Sequence, residues 1–375
     1  MTPALAVEAL RDLSSVSAFS ENDWELLLRQ LRASDLTASF GTKLHDADLQ
    51  QYIPSNLRWH FEAAKRVCDR HHEAVFWEIR ELQNALGYRG IPVVVLKGSA
   101  YLISKKLAAK GRVFFDIDIL VPRHALSDAE NILKRHGWAP SHLNKHDQRY
   151  YREWSHEIPP MIHRIRETVL DVHHNIVPPT AKIKPDATKL LADAVTVEGR
   201  EEIYVLSPVD MLLHSATHLF FEGEFGHGLR DLVDLDNLII ELSTAPEFWD
   251  SLLERAEAQQ LTRPMFYALH YCSTMLGTPI PNHVLEKIKA FAPKRWHKKW
   301  MDALFLRALQ PDHVTCNNWL SAFARWSLYL RAHYLRLPLH LLVPHLLYKT
   351  FIAPYEEHRK AQKSREIERA FNNLK

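Results

Sequence analysis

The sequence predicts an α+β fold in which one short α/β unit is held between two helical regions. Three observations lead there. Apolar residues recur at three- and four-residue spacing through the first 88 residues, β-branched runs replace that pattern between Ile91 and His174, and helical spacing returns after Pro178-Pro179. The same breaks divide the chain into a helical region over 1–88, a core over 89–180 and a helical domain over 181–375.

Helices are expected over Asn22 to Ala33 and Leu57 to Leu86, with Ser20 and Asp23 forming a capping box and Gly87 placed for a left-handed C-terminal cap. The runs Ile91 to Leu96, Val113 to Val121 and Thr168 to His173 read as strands. Ala100 to Ala109 and Ala125 to His136 read as helices, the second with a capping box over Ser127 to Glu130. Glu202 to Leu206 is a short strand candidate. Ser207-Pro208-Val-Asp210 starts a helix, and a glycine turn over Glu222 to Gly228 leads to another over Leu229 to Leu242. The apolar tract Leu335 to Pro354 holds Arg336, His340, His345, Lys349 and three prolines, so it reads as a buried helical layer and not as a membrane span. Tyr355 to Lys375 reads as a solvated helix.

With 47 Lys and Arg against 45 Asp and Glu, the formal charge is +2, so nucleic acid or an anionic membrane would need a local basic patch to attract this chain. Only 11 of 375 residues are glycine. No GxxxxGK[ST] loop occurs, and the nearest approach to GxGxxG, Gly226-His-Gly228-Leu-Arg-Asp231, lacks its third glycine. Cys68, Cys272 and Cys316 lie far apart and read as reduced thiols. The first residues carry no basic segment and meet Glu8 early, which argues against a secretory signal and for the cytoplasm.

The chemistry centres on Leu96-Lys97-Gly98-Ser99 and Asp116-Ile117-Asp118. Alternation along a strand projects both aspartates to one side, with Phe115, Ile117 and Ile119 on the other. Two repelling carboxylates call for a hard divalent cation, and Mg²⁺ fits. Gly98 and Ser99 stand where a strand hands over to a helix, a position that favours phosphate. Asp171, isolated in Val169-Leu-Asp-Val-His173, completes a set of three acids suited to two-metal nucleotidyl transfer if its strand pairs beside that of Asp116. Lys97 and Arg112 are candidates to neutralise phosphate charge, and His173 to orient the third acid. His214 and His218 share a helix face with Asp210, a weaker candidate for zinc and a metal-dependent hydrolase. Arg230, Asp231 and Asp234 share a face of the next helix. The pairs His45-Asp46 and His146-Asp147 lack the further ligands an HD-type hydrolase needs.

These motifs resemble the nucleotidyltransferases of the DNA polymerase beta superfamily, in particular a bacterial group reading LKG, then Arg, then DIDILV, then D-x-H. This chain supplies Leu96-Lys97-Gly98, Arg112, Asp116 to Val121 and Asp171-Val-His173. The resemblance implies a small mixed sheet flanked by helices, and transfer of a nucleoside monophosphate from an NTP with release of pyrophosphate. It further implies Mg²⁺, two ions during turnover, on Asp116, Asp118 and Asp171. A helix closing over the nucleotide would bring Asp231 to it. The acceptor stays open among a sugar phosphate, a small hydroxylated metabolite and a protein side chain; a polynucleotide is not expected. Asp116 follows Ser99 by 17 positions, more than the superfamily's usual gap, and a longer helix plus a turn at Lys110-Gly111 would absorb the excess. The alternative is a non-catalytic partner-binding protein on the same fold, antitoxin-like or an assembly helper.

Overall fold

The computed structural model describes residues 4–141 and 144–355. The N-terminal region is helical, with α1 (Glu21–Ala33), α2 (Thr37–Asp46) and α3 (Arg58–Ala85) as its main elements. Ser20 caps α1 as expected, its hydroxyl accepting from the Asp23 N–H while the Asp23 carboxylate accepts from the Ser20 N–H. Trp24, Leu27, Leu28 and Leu31 bury one face of α1. In α3 the buried residues Phe61, Cys68, Val75 and Leu82 recur every seven positions, a seam narrow enough to leave Val67 and Phe76 exposed. The left-handed residue after α3 is Gly90, with φ 74°, and not Gly87, which lies in a single 3₁₀ turn.

The core is a seven-stranded mixed sheet, larger than the small sheet expected. Its strands are β1 (Val93–Leu96), β2 (Asp116–Leu120), β3 (Trp138–Pro140), β4 (Met161–His163), β5 (Val169–His173), β6 (Val195–Val197) and β7 (Arg200–Val205), in the order β3-β4-β5-β2-β1-β7-β6. β1 runs antiparallel to β2 and parallel to β7, and β2 runs parallel to β5. All four residues of β1 are buried, as its continuous Val-Val-Val-Leu run requires at the middle of a covered sheet. β6 and β7 form a hairpin through Glu198-Gly199, with Gly199 at φ 72°.

Between β1 and β2 the chain forms α4 (Lys97–Ile103), a 3₁₀ turn at Leu107–Ala109 and a left-handed Gly111 at φ 70°, which together absorb the long Ser99 to Asp116 gap. A Cβ on Gly111 would stand 2.5 Å from the Ser39 backbone, so this glycine also admits the N-terminal region to the core. Helix α5 (Leu126–Arg135) has no side-chain cap, and the capping box expected at Ser127 does not form. Glu130 instead pairs with Arg152 at 2.9 Å and Lys134 at 2.8 Å, and the Arg152 hydrogen bonds hold its carboxyl down to about 2.

Helix α6 (Pro208–Phe221) starts at Ser207 as the sequence indicated, and α7 (Gly228–Leu242) follows. Toward the end lie α8 (Arg295–Ala308), α9 (Trp319–Arg336) and α10 (Leu339–Leu347). The tract expected to form a buried layer is an outer helix instead: Leu339, Val343, Leu347 and Phe351 are 61%, 53%, 52% and 68% exposed. Apart from Tyr355, the helix expected over Tyr355 to Lys375 lies outside the described residues. One continuous apolar core joins residues from Ala4 to Leu328. Among the described residues no helix is long and apolar enough to cross a membrane.

Candidate active site

Sheet register assembles the acids. Asp118 of β2 faces Asp171 of β5 as its Cα partner, neighbouring strands lie about 4.8 Å apart, and partners share a face. Asp116, two residues before Asp118, projects to the same side, as does His173, two after Asp171. The two aspartates of β2 are nonetheless unlike: Asp118 is buried, while Asp116 is exposed where β2 begins.

Asp118 is the best-satisfied acid of the group. Its Oδ1 lies 2.9 Å from Lys97 Nζ and 3.0 Å from His173 Nε2. Burial pushes its pKa up, but Lys97 and His173 outweigh that and hold the carboxyl far below the usual range. The same attraction overcomes burial at Lys97, whose ammonium is held charged well above its ordinary value. Lys97 takes a left-handed φ of 48°, uncommon for a residue with a Cβ, at the junction where β1 becomes α4. The strand-to-helix reversal therefore falls on Lys97, one position before the expected Gly98-Ser99.

Asp171 is the opposite case. Its Oδ1 is buried without a hydrogen-bond partner, and burial, then the charges of Asp118 and Glu157, push its pKa up to about 8. Asp116 is also raised, by crowding of the cleft walls and then by Asp118. Ser99 is buried and its hydroxyl has no partner.

Arg112 comes from the loop before β2, and its guanidinium is buried over the Phe114 ring at 5.3 Å. Its Nε donates to Asp234 Oδ2 at 2.6 Å, and its Nη2 lies 3.9 Å from Asp231 Oδ1. Asp231 is also 3.0 Å from Arg230, and both line the cleft. Asp116, Asp118, Asp231 and Asp234 thus line one cleft with the fixed cations Lys97, Arg112 and Arg230, and Asp171 stands beside Asp118.

Gly98 also makes room for its neighbours. A Cβ there would collide with the Arg112 guanidinium and stand 2.7 Å from the Phe114 ring. Gly98→Ala is expected to cost about 1–3 kcal/mol of stability through overpacking and to weaken nucleotide binding by displacing Arg112, checked by urea denaturation and calorimetry.

Three residues that sequence reasoning passed over belong to this neighbourhood. Glu157 Oε2 lies 3.4 Å from His173 Nε2, and Glu222 pairs with His218 at 3.1 Å and His156 at 3.6 Å. His156, Glu157 and His173 also offer ligand atoms within 4.8 Å of one another. Only the Ser-His-Glu of an irregular loop hinted at them. The zinc arrangement on α6 does not form: Asp210 is taken by Arg255 at 2.7 Å, and His214 and His218 join no three-ligand cluster among the described residues. Burial, with help from Lys97, drives the His214 pKa well down. The HD pairs are likewise engaged elsewhere, Asp46 with Lys110 at 2.6 Å and Asp147 with Lys349 at 2.9 Å.

A mixed sheet thus gathers carboxylates beside Lys97 and Arg112 under a helical layer. A family model described as "Uncharacterised nucleotidyltransferase" matches residues 20–277, more than half of the chain, and the protein belongs to that family. No curated protein and no solved structure matches it.

Proposed function

We propose that this chain is a Mg²⁺-dependent nucleotidyltransferase that moves a nucleoside monophosphate from an NTP to a hydroxyl or phosphate acceptor and releases pyrophosphate. One observation carries the reading: parallel pairing of β2 with β5 sets Asp171 beside Asp118, with Asp116 on the same face, in a chain of a nucleotidyltransferase family.

The residues fit a hard divalent cation. They offer carboxylate oxygens, they repel one another, and Asp171 Oδ1 is buried with no partner. Asp116, Asp118 and Asp171 would hold the ions, which when bound would neutralise phosphate charge and make an acceptor hydroxyl easier to deprotonate. Backbone N–H groups at Gly98 and Ser99 would meet the phosphates, whose charge Lys97 and Arg112 would help to neutralise. Asp231 and Arg112 wall the nucleotide side of the cleft. Asp171, whose carboxyl burial and the charges of Asp118 and Glu157 hold protonated in the empty cleft, would give up that proton on binding a cation and would then take the acceptor's proton.

A second reading, a non-catalytic fold that binds a partner, draws on the neutralisation of Asp118 by Lys97 and His173. Calorimetry with ATP, CTP, GTP and UTP in Mg²⁺ separates the two. The transferase is expected to bind at least one of them and to lose that binding with Asp116→Ala and Asp118→Ala combined. Absence of binding by the wild type favours the scaffold.

A further inference from the structure

The overall charge of +2 hides a division of the chain. Residues 1–293 carry 32 Lys and Arg against 39 Asp and Glu, a net of −7, whereas residues 294–355 carry nine Lys and Arg against two Asp, a net of +7. Both of those acids are already paired, Asp302 with Lys298 at 2.8 Å and Asp312 with Arg325 at 2.9 Å. The local basic patch that an anionic partner would need is carried by α8 and α9, with its exposed, unpaired cations at the start of α8; Arg331 of α9 turns inward instead and donates to the Phe220 carbonyl at 2.8 Å.

The same surface is aromatic. Trp296 and Trp300 on α8 and Trp319, Phe323 and Trp326 on α9 are between 41% and 76% exposed. Three of the rings meet, Trp300 of α8 on Phe323 of α9 at 6.4 Å and Phe323 on Trp326 at 6.2 Å. Lys294, Arg295 and Lys299 stand among them, exposed, and no ion pair among the described residues engages them. Lys294 is the N-cap of α8, and its first turn holds no acid. Cations at this end oppose the helix dipole, so the arrangement weakens the helix unless negative charge arrives from outside. Beyond α9, Leu339, Val343, Leu347 and Phe351 form an exposed apolar stripe at four-residue steps.

We infer that this face docks on an anionic lipid bilayer. Tryptophan rings favour the headgroup zone, with an apolar body toward the acyl chains and an N–H toward water, and flanking lysines and arginines bind acidic headgroups. A second copy meeting this face through a two-fold axis would set Lys294, Arg295 and Lys299 of one copy against the same cations of the other. The inference is independent of the transferase reading, because none of these residues lies in the cleft.

The test is flotation of the full chain with vesicles of phosphatidylcholine alone or with about 30% phosphatidylglycerol. Binding is expected only to the anionic vesicles, with a blue shift of tryptophan emission. It should fall in about 0.5 M NaCl, where the screening length drops below about 8 Å. Trp296→Ser with Trp300→Ser, folded by circular dichroism, should bind about tenfold more weakly or worse. Lys294→Glu, Arg295→Glu and Lys299→Glu combined should remove the lipid-charge preference. Failure of the wild type to float with anionic vesicles overturns the inference, as does flotation indifferent to lipid charge or to both variants. Self-association in light scattering that the tryptophan variant abolishes, without vesicle binding, assigns the face to a second copy and overturns it too.

Discussion

Asp118→Ala is expected to cost about 3–5 kcal/mol of folding stability, because it leaves the Lys97 ammonium buried without its counter-ion. Lys97 Nζ and His173 Nε2 both rest on Asp118 Oδ1, and the Lys97 and Asp118 side chains are only 20% and 4% exposed. Asp116→Ala removes an exposed acid that makes no ion pair among the described residues, and should change stability by no more than about 1 kcal/mol. Both substitutions should abolish transfer. Urea midpoints separate a structural acid from a purely chemical one, since an unchanged denaturant slope licenses reading the midpoint as stability. Lys97→Met combined with Asp118→Leu should recover most of the loss, because removing both charges ends the desolvation penalty. An Asp118→Ala protein as stable as wild type would mean that the pair does not form in solution.

Asp171 should make the protein less stable as the solution becomes more alkaline. In the unfolded chain an aspartate releases its proton near pH 3.9, whereas in the fold Asp171 keeps it to about 8. Between those values the folded state binds the extra proton, so stability falls as pH rises from about 4 to about 8 and levels off beyond. The total is on the order of a few kcal/mol. Asp171→Asn keeps the shape without the titration. In metal-free buffer it should match wild type near pH 4 and exceed it near pH 9, and with Mg²⁺ restored it should lose transfer activity. Asp118 acts in the other direction: its depressed pKa supplies stability that is present above about pH 4 and lost as the solution is acidified through its folded value. Equal pH profiles for wild type and Asp171→Asn would remove Asp171 from the buried cluster.

The strands that hold the acids were legible because Phe-Phe-Asp-Ile-Asp-Ile-Leu-Val and Val-Leu-Asp-Val-His interrupt apolar runs at alternate positions. Their adjacency was not, since pairing between β2 and β5 is a tertiary choice that no local pattern encodes. Strands β3 and β4 are three residues long, one of them ending in Pro140, too short for any periodicity. Lys97 in a left-handed turn breaks the local rule that reserves such positions for glycine, so the junction of strand and helix falls one residue earlier than Gly98 suggested. Glu157, His156 and Glu222 reach the site from a loop and a helix end, where spacing carries no information. The outward face of α10 escaped notice because leucines and valines four apart ordinarily point inward.

The place of β1 in the sheet bears on how the protein is made. Val93 to Val95 find one neighbour in β2, but their other edge pairs with Ile203 to Val205, more than 100 residues later. On the ribosome the nascent chain must therefore wait roughly 5–20 s between delivering β1 and delivering the strand that closes it. Throughout that interval a fully apolar segment shows a bare row of peptide groups to every other chain in the vicinity. Expression of any fragment ending before residue 205 would make that transient hazard permanent, and such fragments should be recovered as aggregates.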